Sequence, residues 1–257
     1  MNTRLLFQLY TLIVAAFFIG CGSRDGHDLS SSVDSGPDVP LPEVLRQAAA
    51  LEEVAFSDII QASTGRKILP LGRSFTVAAS VLAEVFNEVL TEMNLPGSPI
   101  RGLRRINEAS RFFEDAIRTR IDQHADFQCH VPPNAEGTPQ RTGYPDLRIV
   151  HLPTNSVFYL DPKLYETGSE DSSLRTFYYT PNSNRTKVLE DAHHLLVGFA
   201  HDGNDGQWRF LRWRLVDLSQ LTVRLKTEIQ ASNRDLYQND SLILESSLGS
   251  GDPQRRD

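Results

Sequence analysis

The segments GYPDLRIV (residues 143–150) and VFYLDPK (residues 157–163) have the apolar, β-branched and aromatic content that is typical of β-strands. Residues 153–156, Pro-Thr-Asn-Ser, are turn formers that return the chain between them, so the sequence predicts an antiparallel hairpin. In such a hairpin, the start of one strand lies beside the end of the other. Asp146 and Asp161 are therefore expected to converge at one end of a sheet.

Asp161 and Lys163 are two residues apart, and side chains at that spacing project from the same face of a strand. Paired carboxylates provide the hard oxygen ligands that Mg²⁺ prefers, and a neighbouring lysine is held as a cation that can orient water. A purely structural interpretation stays open here. It makes Pro145-Asp146 a turn before a strand and Lys163 a solvated strand end.

The arrangement Pro145-Asp146, fourteen residues, then Asp161-Pro162-Lys163 resembles the PD-(D/E)xK nuclease superfamily, which has the restriction-endonuclease-like fold. The resemblance implies that Asp146 and Asp161 bind a metal ion together with the backbone carbonyl of Pro162. It also implies that Lys163 positions the attacking water.

The resemblance covers residues 103–231, and it implies an αβββαβ core with an acidic residue on the helix before the sheet. The sequence predicts that helix over residues 103–123. Glu114 is the candidate, because it lies closer to the apolar stripe of this helix than Glu108 or Asp115 does. Glu114 is accordingly a further predicted metal ligand.

Several properties follow only from the resemblance. The implied cofactor is Mg²⁺, with Mn²⁺ as an alternative ion. The implied reaction is in-line hydrolysis of a DNA phosphodiester bond, which leaves a 5′-phosphate and a 3′-hydroxyl. RNA stays open as a substrate, and the oligomeric state also stays open, with a dimer among the possibilities.

Periodicity and turn signals predict a mixed α/β (α+β) fold, the restriction-endonuclease-like core being preceded by additional helices. Helices are predicted at residues 42–59, 75–93, 103–123, 186–192 and 221–231. Strands are predicted at residues 147–150, 157–160, 174–179, 195–199 and 208–216. One nuclease-like domain is expected over residues 42–245, with a helical part at 42–100, a catalytic core at 101–231 and a polar tail at 246–257.

The net charge of −7 argues against a protein that coats nucleic acid by bulk attraction, but it leaves room for local phosphate contacts. The candidates for such contacts are basic residues on or near the predicted later elements: Arg175, Lys187, Arg212 and Arg214. An ordinary amphipathic surface is the alternative interpretation of these four residues. The neighbouring pair His193-His194 is expected to make local hydrogen bonds, with a phosphate or metal contact as the alternative.

The N-terminus predicts export. Residues 1–20 combine Arg4 with a short apolar run that ends in Phe-Ile-Gly before Cys21, which resembles a bacterial lipoprotein signal. Cys21 is then the predicted site of lipidation and membrane attachment. Residues 21–41 are rich in Ser, Gly, Asp and Pro and predict a flexible linker. The residue after the cysteine, Gly22, favours the outer membrane or periplasmic face by resemblance to lipoprotein sorting signals.

Together these patterns predict an exported, lipid-anchored, metal-dependent endonuclease that acts on DNA outside the cytoplasm. The alternative is a catalytically inactive lipoprotein of the same fold that binds a polyanion or a protein partner at the cell envelope. A third possibility is an envelope interaction module with no role in nucleic-acid chemistry. Affinity for metal and for DNA distinguishes the three hypotheses.

Overall fold

The computed structural model describes residues 42–43, 46–47, 51, 53–173, 176–181, 185–226 and 232. The predicted signal segment, the linker with Cys21, and the polar tail lie outside these residues, as does Arg175. Among the described residues, no helix combines the length and the apolar content that a membrane crossing requires.

A mixed five-stranded sheet organises the described part of the chain. Its strands lie in the order β2-β3-β4-β5-β6, and only β4 and β5 run parallel. The strands are β2 (Phe127–His130), β3 (Leu147–His151), β4 (Ser156–Glu166), β5 (His193–His201) and β6 (Phe210–Asp217). A separate antiparallel pair joins β1 (Val54–Ala55) to β7 (Thr222–Val223).

Among the described residues from 53 onward, three α-helices and two short 3₁₀ helices pack around the sheet. They are α1 (Phe56–Thr64), α2 (Arg73–Asn94), α3 (Ser110–Ile121) and the 3₁₀ turns Ile106–Glu108 and Leu218–Gln220. The Asn94 side chain ends α2 by donating to Phe210 O at 2.8 Å and accepting from Phe210 N at 2.9 Å. These two hydrogen bonds occupy the backbone N–H and C=O groups of Phe210, and they hold the C-terminal end of α2 against β6.

The two faces of the sheet bury different cores. On one face, helices α2 and α3 pack on alternate sheet residues such as Phe158 and Leu160. On the other face, α1 packs near Tyr159 and Tyr144. Because β4 is covered on both faces, residues 157–162 are all buried, which explains the unbroken apolar run Val-Phe-Tyr-Leu before Asp161.

The predicted fold class is confirmed. The order α3-β2-β3-β4-β5 follows the predicted αβββαβ core except for its second helix, and the predicted hairpin is β3–β4. The helix at 75–93 corresponds to α2, and the strands at 195–199 and 208–216 correspond to β5 and β6. The long helix predicted at 103–123 is in fact a 3₁₀ turn followed by α3.

Residues 186–192 are not a helix, and the reason lies in their backbone hydrogen bonds. Val188 N donates to the Thr186 hydroxyl at 3.2 Å, and Leu189 N donates to the Tyr159 hydroxyl at 3.1 Å. Side chains therefore take the amides that a helix would pair with preceding carbonyls. Local sequence favoured the helix, and a tertiary contact from β4 overrode it.

Three other predicted elements were also wrong. Described residues 176–179 form no strand, because Phe177 and Tyr179 pack edge-on against Phe56 instead of pairing in the sheet. Described residues 221–226 form β7 and extended chain, since Thr222 pairs with Ala55 in β1. The helix predicted at 42–59 is interrupted at residues 53–55 by the same strand pair, and α1 begins only at Phe56.

Candidate active site between β3 and β4

The β3–β4 register brings the two predicted aspartates together. Leu147 pairs with Leu160, so Asp146, the residue before β3, lies opposite Asp161 within β4. Lys163 follows two residues later and shares a strand face with Asp161. The predicted convergence of Asp146, Asp161 and Lys163 is therefore a feature of the structure, while their roles in catalysis stay predictions.

Lys163 links the two carboxylates. Its Nζ forms an ion pair with Asp161 Oδ2 and lies 3.6 Å from Asp146 Oδ2. The same ammonium group donates to Pro162 O at 3.4 Å. The side chain of Asp161 is only 4% exposed, so these charges interact where water screens them poorly.

Burial changes the acid–base behaviour of these groups. Burial, and then the charge of Asp161, raise the pKa of Asp146 to about 8, although Lys163 opposes the shift. Burial alone would lower the pKa of Lys163, but the charges of Asp161 and Asp146 outweigh it and raise that pKa. Lys163 is thus held as a cation, and Asp146 holds a proton near neutral pH until another cation compensates its charge.

Glu114 reaches the same region from α3. Its side chain is 14% exposed, and its Oε2 lies 3.7 Å from Arg141 Nη1. Burial raises the pKa of Glu114, and the charges of Arg141, Lys163 and Lys187 act against that rise. The helix predicted to carry this acidic residue is present as α3, and a part for Glu114 in the metal site remains a prediction.

Lys187 is not a surface phosphate contact, and this prediction needs correction. Only 1% of the residue is exposed, and its Nζ donates to Gln140 O at 3.2 Å. Burial lowers the pKa of Lys187, and the charges of Asp146, Asp161 and Glu114 oppose that shift. Lys187 belongs to the interior of the site; we refer to Glu114, Asp146, Asp161, Lys163 and Lys187 as the carboxylate–lysine cluster.

Arg212 and Arg214 lie on β6, two strands away from Lys163, and the registers place Arg214 in one row with Gly198 and Lys163. Arg212 Nη2 forms an ion pair with Glu170 Oε1, and Arg214 Nη1 lies 3.9 Å from the same oxygen. We refer to Glu170, Arg212 and Arg214 as the Glu170 cluster. Both guanidinium groups are substantially exposed, so contact with DNA is sterically open to them, and this role stays a prediction.

Sequence patterns did not identify the pair formed by Tyr144 and His194. The Tyr144 hydroxyl and His194 Nδ1 are 2.6 Å apart, and the two rings stack. Burial lowers the pKa of His194 to about 3, so this histidine is neutral. His193 Nδ1 lies 3.2 Å from Leu69 O, so both histidines have hydrogen-bond partners within the protein, but these partners are distant in the sequence and not local. The only sequence signal was the position of Tyr144 next to Pro145-Asp146.

The donor set fits a divalent metal ion with two side-chain ligands. Asp146 and Asp161 offer carboxylate oxygens, and Pro162 offers a backbone carbonyl, all of which suit a hard cation. Asp161 Oδ2 is buried and lacks a hydrogen-bond donor of regular geometry among the described residues. Within that part of the chain, no three His, Cys, Asp or Glu side chains group as a metal site, and a part for Glu114 in metal binding stays a prediction.

Comparison with known proteins identifies a family for this chain. The sequence pattern of the type II restriction enzyme MjaV family matches residues 50–240, a range that includes the whole carboxylate–lysine cluster. The type II restriction enzyme MjaV of Methanocaldococcus jannaschii is 28% identical over 222 residues, which is 81% of this chain and 96% of the relative. Since the family pattern spans well over half of the sequence, the chain belongs to the type II restriction enzyme MjaV family.

Proposed function

We propose that this protein is a DNA endonuclease that hydrolyses phosphodiester bonds with the help of a divalent metal ion, Mg²⁺ in the first instance and Mn²⁺ as an alternative. The observation that carries the proposal is the meeting of Asp146, Asp161 and Lys163 through the β3–β4 register. Family membership supports the substrate, because the named relative is a type II restriction enzyme.

The acidic and basic residues have separate roles in the proposed reaction. Asp146, Asp161 and the carbonyl of Pro162 would hold the ion, which when bound supplies positive charge to the developing transition state. Lys163 is anchored by both carboxylates, so its ammonium group is placed to hold and orient the attacking water. Arg212 and Arg214 supply exposed positive charge for the DNA backbone once Glu170 releases them.

Cellular location is a separate part of the proposal. The family pattern begins at residue 50, so the predicted export signal and Cys21 precede the region that it matches. We propose lipid attachment at Cys21, with the enzyme facing DNA outside the cytoplasm. Incorporation of labelled palmitate into the full chain, and its loss in Cys21→Ser, is the expected result. An unlabelled, cytoplasmic product would refute this part and leave the nuclease proposal intact.

The nuclease proposal is tested by incubating the purified full-length chain with plasmid DNA, in parallel reactions with Mg²⁺, Mn²⁺ or EDTA. We expect nicked and linear products with either metal and none with EDTA, with 5′-phosphate ends that ligase can rejoin. A folded protein that binds DNA but never cuts it would instead support the inactive binding protein of the same fold.

A further inference from the structure

A hydrogen bond between two buried side chains spans strand β4 beside the candidate site. Tyr144 lies in the segment that enters β3, and His194 is the second residue of β5, so the partners come from the two strands that flank β4. The Tyr144 hydroxyl and His194 Nδ1 are 2.6 Å apart. Tyr144 is 7% exposed and His194 is 0% exposed, so water competes little for this bond. The bond therefore ties the entry of β3 to β5.

Neighbouring aromatic rings enclose the Tyr144 side chain. Phe56 of α1 and Phe177 meet its ring edge-on, with centroids 5.6 and 5.5 Å away, and the ring of His194 stacks on it at 5.7 Å. Tyr159, which pairs with His194 in the β4–β5 ladder, contacts the His194 ring edge-on. Close packing and the hydrogen bond together hold the Tyr144 ring in place.

Asp146, a predicted metal ligand, is the second residue after Tyr144. The residue that follows it, Leu147, pairs with Leu160 in the β3–β4 ladder. Only Pro145 and Asp146 lie between these two fixed points, and the proline ring restricts its own backbone. The backbone that carries the Asp146 carboxylate is therefore held at both ends.

A metal ion that two carboxylates share needs them at a fixed separation. Ligands that are ordered before the ion arrives lose less entropy when it binds, so the affinity is higher. We propose that Tyr144 and His194 are positioning residues, whose hydrogen bond keeps the Asp146 carboxylate opposite Asp161 and so strengthens the binding of a divalent ion. This inference rests on the proposed function, because it takes Asp146 as a metal ligand.

A second tyrosine of the same aromatic group provides a matched control. The Tyr179 hydroxyl lies 2.9 Å from Ser63 Oγ, and the Tyr179 ring meets Phe56 edge-on, as the Tyr144 ring does. Neither Tyr179 nor Ser63 adjoins a predicted metal ligand in the sequence. Removal of the Tyr179 hydroxyl therefore tests the loss of a comparable hydrogen bond without an effect on Asp146.

Two measurements without DNA test the proposal on the full-length chain. The affinity for Mn²⁺ is measured from the loss of the free-ion signal in electron paramagnetic resonance. Hydrogen–deuterium exchange of residues 143–150, in EDTA, reports how firmly this segment is held when no metal is bound. The variants are Tyr144→Phe, which keeps the ring, His194→Leu, the double variant of these two, and the control Tyr179→Phe.

We expect Tyr144→Phe and His194→Leu each to weaken Mn²⁺ binding by at least about tenfold, as is usual for residues that support metal ligands. The double variant should bind about as well as either single variant, because both substitutions break the same bond. Residues 143–150 should exchange faster in all three proteins. Tyr179→Phe should lower the Tm as Tyr144→Phe does, but it should change neither the Mn²⁺ affinity nor the exchange of residues 143–150.

A folded Tyr144→Phe with the Mn²⁺ affinity of the unaltered chain would overturn the inference. An equal loss of affinity in Tyr179→Phe would also overturn it, because the effect would then belong to the aromatic core as a whole. If Tyr144→Phe does not fold, His194→Leu decides by the same criteria, since it breaks the bond from the other strand.

Cleavage of plasmid DNA by the same preparations separates this inference from the proposed function. An unaltered chain that binds Mn²⁺ and cuts DNA, with variants that bind equally well, keeps the proposed function and refutes only the role of Tyr144 and His194. A folded, unaltered chain that neither binds Mn²⁺ nor cuts DNA refutes both.

Discussion

The molecule carries two charged clusters that use the same kinds of side chain in opposite surroundings. In the carboxylate–lysine cluster, Asp161 is almost fully buried, and burial with neighbouring charge raises the pKa of Asp146 to about 8. In the Glu170 cluster, hydrogen bonds from its own amide, from Gly168 and from Arg212 lower the pKa of the exposed Glu170. Two opposite charges that lie close together are not enough to form an active site. Burial strengthens the interaction between them and shifts their pKa values, as active sites require.

The largest expected effect is at Lys163. Lys163→Met removes the cation that both aspartates hold, so we expect DNA cleavage to fall by about a thousandfold, at the upper end of the range for loss of one preorganised charge-stabilising donor. The measurement is the rate of plasmid nicking in Mg²⁺. Lys67→Met, at an exposed position, is the control and should cut at the normal rate. A Lys163→Met protein that cuts within about threefold of normal would remove Lys163 from the chemistry.

Glu114 is expected to show a smaller effect, because its ion pair is with Arg141 and not with Lys163. Glu114→Gln should raise the Mg²⁺ concentration that gives half-maximal cleavage by about ten- to a hundredfold, as is usual for supporting residues of metal sites. Asp115→Asn, the adjacent acid on α3, pairs with arginines and serves as the control. If both substitutions have equal effects, α3 influences metal binding only through its overall negative charge and not through the position of Glu114.

Asp146 predicts a pH effect with a definite sign. Its pKa is about 8 in the folded chain against 3.8 for an ordinary aspartate, so the folded state binds more protons, and stability falls as pH rises from about 4 to 8. Asp146→Asn removes that loss. In EDTA at pH 8, we expect the Tm of Asp146→Asn to exceed that of the unaltered chain by about 2–4 °C for each kcal/mol of folding stability that the substitution restores. At pH 4 we expect little difference between the two proteins.

Thermal melts of Asp146→Asn and of the unaltered chain at both pH values check this prediction. A lower Tm for the variant at pH 8 would mean that Asp146 is stabilised by its neighbours in the charged form. Because metal binding has to displace the Asp146 proton, we also expect the apparent Mg²⁺ affinity of the unaltered chain to increase between pH 6 and pH 8.

The smallest effect is expected in the Glu170 cluster. Arg214→Gln removes an exposed charge whose distance to Glu170 is already 3.9 Å, so the Tm should not change. Cleavage should fall by less than about threefold, and only at low salt, because a single backbone contact is screened as salt rises. A hundredfold loss of cleavage that does not depend on salt would show that Arg214 takes part in catalysis. It would contradict the contrast between the two clusters.

Sequence reasoning succeeded where one local rule was enough. The alternation and turn of the β3–β4 hairpin placed Asp146 opposite Asp161, and the apolar stripe of α3 pointed to Glu114. It failed where distant contacts decide. Lys187 looked like a solvated helix start, but the Tyr159 hydroxyl took the amide of Leu189 and the chain buried the lysine. The Tyr144–His194 pair spans fifty residues, and local periodicity carries no information about it.

One matched pair of variants tests the contrast between the two clusters most directly. Asp161→Asn and Glu170→Gln each neutralise one carboxylate that is paired with a basic residue, the first buried and the second at the surface. Plasmid cleavage in Mg²⁺ is measured for both at equal protein concentration, with folding checked by thermal melts. We expect Asp161→Asn to cut no faster than the EDTA background and Glu170→Gln to cut within about threefold of the unaltered chain. Normal cutting by Asp161→Asn would contradict the assignment of the active site.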